Sequence, residues 1–106
     1  PKLMRVNFKG TLAPGLYAKD LILHLIHRHG AAGGSGYAVE FAGPPVSALG
    51  IEARLTLCNM AVEFGAFTGI VAPDDATIDY VRGRTYAPQG DDWDRAVAHW
   101  RTLHTD

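Results

Sequence analysis

Short runs of strand-like residues alternate along this chain with longer runs of helical period, and that alternation most constrains the fold. Met4–Phe8 places Met, Val and Phe at alternate positions, the period of a half-buried strand. The Gly- and Pro-containing "KGTLAPGLYA" then breaks the pattern. From Lys19 to His29 the period becomes helical: Leu21, Ile22, Leu25 and Ile26 share one face, while His24, His27 and Arg28 point elsewhere. "GAAGGSG", Gly30–Gly36, stops that helix, "YAVEF", Tyr37–Phe41, reads as a strand, and "AGPPV" ends it. A second helix is expected from Ser47 or Gly50 to Phe64, then a third strand in "TGIVAP" stopped by Pro73. Asp74 is placed to cap a third helix running through Ile78 and Val81 to Gly83. After the connector "RTYAPQG", a last helix starts near Asp91 and sets Trp93, Ala96, Val97 and Trp100 on one face.

The order β-α-β-α-β-α-α predicts an α/β fold, a three-layer α/β/α arrangement with a small, mostly parallel sheet. One domain over residues 1–106 is expected. Apolar residues make up 47% of the chain, enough for a core, so disorder is excluded as the main state. Formal net charge is −1 with both signs interspersed, which argues against nucleic acid as a partner. The apolar runs are too short to cross a bilayer. A single cysteine excludes an internal disulfide framework and makes a cytoplasmic, reducing location the default. The chain opens "PKLMRVNFKG" without an initiator methionine, and the expectation is a domain excised from a longer polypeptide.

The stretch "LTLCNMAVEFGA", Leu55–Ala66, holds the lone cysteine, Cys58. On a helical wheel advancing about 100° per residue, Glu52, Thr56, Asn59 and Glu63 form one polar stripe. Ala53, Leu57, Met60, Ala61 and Phe64 form the apolar stripe beside it, the natural contact with the sheet. Cys58 falls outside the polar stripe, near Leu55 and Val62. A nucleophilic cysteine wants a histidine or a helix N-terminus beside it, and structural zinc wants four ligands. Cys58 is therefore expected to be a small buried hydrophobe and not a metal ligand. By pattern alone, the Asn59–Glu63 stripe is a solvated helix face; its functional reading is a face turned toward a polar site shared with another domain.

Other motifs favour structural roles. "GGSG" follows a helix and precedes a strand, the reverse of a phosphate cradle, and is expected to be a helix stop. His24 and His27 have ligand spacing on a helix but no matching carboxylate or thiol, and exposure is expected. His99 and His104 suit the C-terminal end of the last helix, and the acidic "DDWD" suits its first turn, so capping is preferred to metal binding.

Four segments in order, "AKDLIL", "GGSGY.VEF.G", "R.T.CNM..E.GA" and "G.VAPDDAT..Y..GR.YAPQG..WD.A", span nearly the whole chain. Together they resemble the aconitase superfamily, in its isopropylmalate dehydratase (isomerase) branch. The resemblance implies the second of three α/β/α domains of a large subunit, with a [4Fe–4S] cluster in the full-length enzyme and none in this chain alone. It implies a hydroxy-dicarboxylate substrate, 2-isopropylmalate, isomerised by dehydration and rehydration in leucine biosynthesis. The partners implied are the remaining domains of the large subunit and a small subunit carrying a swivelling domain. The family's "CNM..E" motif matches Asn59 and Glu63. The resemblance implies that Asn59 hydrogen-bonds near the cluster and that Glu63 is catalytic, in the polar network of the substrate hydroxyl, paired with a histidine from another domain. The family's cluster cysteines, in "C-T-N" and "C-x-x-C" motifs, are not in this sequence, nor are its catalytic serine and substrate-binding arginines. The chain alone is thus expected to be inactive. "FGAFTG" departs from the branch's "GARAG", with Phe67 in place of a basic residue. This keeps homoaconitase and methylmalate dehydratase open as alternatives. A stand-alone, non-catalytic binding or regulatory module is the alternative from another class, and a nucleotide-binding α/β protein rests on fold analogy alone.

Overall fold

The computed structural model describes residues 2–104. Pro1, on which the expectation of an excised start rests, lies outside them. The chain forms two compact units, Pro1–Val71 and Ala72–Asp106.

The first unit is built on three parallel strands, β1 (Lys2–Asn7), β2 (Tyr37–Ala42) and β3 (Thr68–Val71), in the spatial order β1-β2-β3. Helix α1 (Ala18–His29) connects β1 to β2. The second connection holds a short helix α2 (Pro44–Ser47), helix α3 (Ile51–Asn59) and a 3-10 turn (Met60–Phe64). Parallel neighbours need such crossovers, because a tight turn cannot reverse the chain twice. The expected α/β class with a small parallel sheet is present.

The pairing register explains the alternation in the sequence. Met4 pairs with Val39, and Val39 with Gly69; Val6 pairs with Phe41, and Phe41 with Val71. These residues share one face, which packs with Leu21, Ile22 and Leu25 of α1 and Leu57, Ala61 and Phe64 of the second connection in a single core. The other face carries Leu3, Arg5, Glu40, Thr68 and Ile70, with Leu3 and Ile70 exposed. Arg5 and Glu40, paired in register, also approach within 3.8 Å through their side chains.

Two local structures differ from the sequence expectation. "GPPVS" does not merely break the strand: Pro44 and Pro45 open α2, where their missing N–H groups cost nothing. The expected single helix to Phe64 ends instead at Asn59 and tightens into the 3-10 turn, closed by Gly65 at φ 83°. The tighter winding brings Phe64 into register with Ala61, and both are buried. The Phe64 ring also accounts for the glycine run. A Cβ on Gly33 would lie 2.6 Å from that ring and one on Gly34 2.7 Å, so only glycine lets the loop pass.

The second unit contains α4 (Asp75–Val81) and α5 (Asp91–Trp100). Asp74 caps α4 as expected, its carboxylate accepting the Thr77 N–H at 3.2 Å. The expected face of α5 is the shielded one: Trp93, Ala96, Val97 and Trp100 are half-buried while the helix's other residues are exposed. Trp93 and Trp100 meet edge-on at 5.8 Å. Asp91, Asp92 and Asp94 occupy its first turn and His99 its last, which suits the helix dipole.

Candidate functional site

The end of α3 and the 3-10 turn carry the candidate residues, and the sheet fixes where that segment lies. Leu57 and Ala61 are buried and bring the helix onto β3. Gly69 permits the approach: a Cβ there would lie 2.8 Å from Ala61 Cβ and 3.0 Å from Cys58 Cα. The helix backbone therefore rests on the strand with no side chain between them.

Asn59 is the last residue of α3 and Glu63 lies in the following turn; both are exposed. Asn59 occupies the position before the turn but makes no side-chain cap. Neither side chain is in a hydrogen bond or ion pair among the described residues. Exposed Val62 (68%) and Phe67 (76%) lie close by in the sequence. The change of winding alters the wheel that placed Asn59 and Glu63 on one stripe. Four steps of about 100° separate them by about 40°, whereas four steps of about 120° separate them by about 120°. The 3-10 turn thus fans the amide and the carboxylate apart around its axis.

Cys58 is half-buried rather than fully buried. Its neighbours on the wheel, Leu55 and Val62, are both exposed, so the expected apolar pocket is only half closed. Burial still pushes its thiol pKa up, because desolvation disfavours the thiolate. His24, His27, His99 and His104 are exposed, as expected.

Arg54 was not singled out in the sequence, yet it is the buried charged residue of this segment, 4% exposed. Its Nε donates to Leu49 O at 3.0 Å and its Nη2 to Ser47 O at 2.9 Å. One guanidinium thus serves the carbonyl of Ser47 at the end of α2, where helix geometry leaves carbonyls without partners, and that of Leu49 in the bend leading to α3. A signal was available: on the wheel Arg54 falls about 20° from Ala61, at the border of the apolar stripe.

Residues 1–106 match the aconitase family (aconitate hydratase) over their whole length. The chain belongs to the aconitase family. It is 60% identical over 106 residues to "3-isopropylmalate dehydratase large subunit 1" of Bradyrhizobium diazoefficiens, and this match covers 100% of the chain and 22% of that protein. The chain therefore spans about a fifth of the length of the curated relative it matches.

Aconitase-family membership implies an iron–sulfur cluster in a full enzyme. The residues here do not fit one as ligands. A cluster needs several thiolates, the sequence has one cysteine, and that thiol's environment opposes ionisation. Among the described residues, no group of three or more His, Cys, Asp or Glu is placed to hold a metal ion. What this segment offers to chemistry is an unengaged amide and an unengaged carboxylate on a rigidly seated turn.

Proposed function

We propose that this chain is one α/β/α domain, the second of three, in the large subunit of an iron–sulfur hydro-lyase of the 3-isopropylmalate dehydratase type. The 60% identity along all 106 residues to a large subunit of that name carries the reading. In such an enzyme a [4Fe–4S] cluster is held by polypeptide outside these residues, and a small swivel-domain subunit completes the assembly. The reaction is isomerisation of 2-isopropylmalate to 3-isopropylmalate, a step of leucine biosynthesis. A single cysteine suits a reducing cytoplasm, and no described helix is long and apolar enough to cross a membrane.

Within that reading Glu63 is catalytic. A carboxylate is a competent acid–base group for a reaction that removes and returns water, and this one is in no hydrogen bond or ion pair among the described residues. Asn59 supports it as a neutral donor and acceptor that orients substrate without adding charge. Two features favour these roles: exposure of both side chains and their seat on a turn locked to the sheet through Gly69.

The test uses the full-length large subunit combined with its small subunit. Glu63→Gln is expected to lower kcat by about 10²–10⁴-fold with the fold intact. Near-normal turnover would remove Glu63 from the reaction. Phe67 stands exposed where the dehydratase branch carries a basic residue, so the assay compares 2-isopropylmalate with homoaconitase and methylmalate dehydratase substrates. The highest kcat/KM is expected for 2-isopropylmalate; preference for another hydroxy acid would reassign the substrate.

A further inference from the structure

The first unit also holds a cleft lined by neither Asn59 nor Glu63. The cleft, of about 440 Å³, runs between β1 and α1, a volume within the range of small-molecule sites. Its floor is apolar, formed by residues such as Phe8, Leu21 and Leu25. Its rim is basic: Lys9 enters just beyond β1, and His24, Arg28 and His29 from α1. No aspartate or glutamate lines it, although the chain as a whole carries a formal net charge of −1. Lys9 and Arg28 form no ion pair among the described residues. Thr11 and Asn7 add short polar groups at the same mouth.

The basic rim is not explained by helix chemistry alone. Arg28 and His29 lie in the last turn of α1 and interact favourably with its dipole. Lys9 lies in the loop after β1, outside α1, and His24 is a turn further in, at i, i+4 spacing with Arg28. Separate parts of the chain thus bring two cationic side chains to one concavity, an arrangement that favours an anion there. The apolar floor strengthens the field in the cleft. We propose that this cleft binds a small dianion, held by Lys9 and Arg28 as its charged contacts and by His24 and His29 as ring N–H donors. The class is a compact molecule with two or more anionic oxygens, a phosphate or a dicarboxylate. Arg28 supplies the planar donor fork and Lys9 a point charge.

The test is calorimetric titration of the full-length chain at low ionic strength with inorganic phosphate and, separately, malonate, with acetate as the monovalent control. Saturable binding of phosphate, malonate or both is expected, with at least tenfold weaker affinity in the Lys9→Gln/Arg28→Gln variant. Phosphate alone would identify phosphate-type ligands, and malonate alone dicarboxylates. The charge-keeping Lys9→Arg/Arg28→Lys variant should retain binding, which separates loss of charge from loss of fold. Equal binding in the wild type and the charge-removing variant, or binding by neither small dianion, overturns the proposal. Capture of an acidic peptide with no response to either dianion overturns it in favour of a protein ligand.

Discussion

Removing the Arg54 guanidinium would take the donors from the carbonyls of Leu49 and Ser47 in a part-buried setting. Arg54→Met keeps much of the volume and loses the donors, so it should cost about 2–3 kcal/mol in urea unfolding. A cost under about 0.5 kcal/mol would mean that water replaces the side chain there. Cys58 makes a different kind of prediction. Its folded pKa is raised, so the neutral thiol is the favoured form. Its contribution to stability is complete below the ordinary thiol pKa of about 8.5 and is lost as pH rises through the higher folded value. At pH 7.5, alkylation by iodoacetamide should be slower than for the same thiol in the unfolded chain, and reaction at the unfolded rate would show that burial does not govern it. Cys58→Ala should cost stability, about 1 kcal/mol, and leave kcat of the proposed dehydratase nearly unchanged. Abolished cluster assembly in that variant would contradict the structural role. The two residues differed in legibility. Cys58 could be read only in part, since its half-burial depends on how far Leu55 and Val62 stand open, whereas Arg54 was obscured because a wheel records hydrophobicity and not the loop carbonyls that a buried arginine serves.

At the scale of elements, the contact of α3 with β3 depends on Gly69. Gly69→Ala would place its Cβ 2.9 Å from the Phe41 ring and 2.8 Å from Ala61 Cβ. Overpacking of this kind should cost about 1–3 kcal/mol, read as a lower thermal midpoint. An unchanged midpoint would show that the helix can lift from the strand. Period together with glycine, proline and capping signals located all three strands and α1, α4 and α5. It failed in the second connection, since "MAVEFGA" continues a helical pattern in sequence. There the winding is set by tertiary demands: Phe64 must enter the core beside Ala61, and Gly65 must reverse the chain. The family motif singled out Asn59 and Glu63 as candidates, while their angular relation depended on that change of winding.

For the molecule as a whole, several large apolar side chains stand exposed. Leu3 is 72% exposed and Phe67 76%, with Ile70 and Val62 also open. Large apolar patches commonly mark surfaces that meet other protein, and the chain spans only about a fifth of its curated relative. Produced as these 106 residues, it should self-associate with rising concentration in sedimentation velocity, and Leu3→Lys with Phe67→Lys should reduce that association. A monomer at all concentrations would show that these residues are harmless in water. The close seat of α3 on β3 also bears on how such a chain can diverge. With Ala61 fixed over Gly69, the segment between Glu63 and Thr68 has its length set at both ends. Lineages can lengthen the loop between β1 and α1 with little penalty, whereas an insertion after Glu63 would have to move a strand to be accommodated. Gaps among descendants should therefore gather in the former and be absent from the latter.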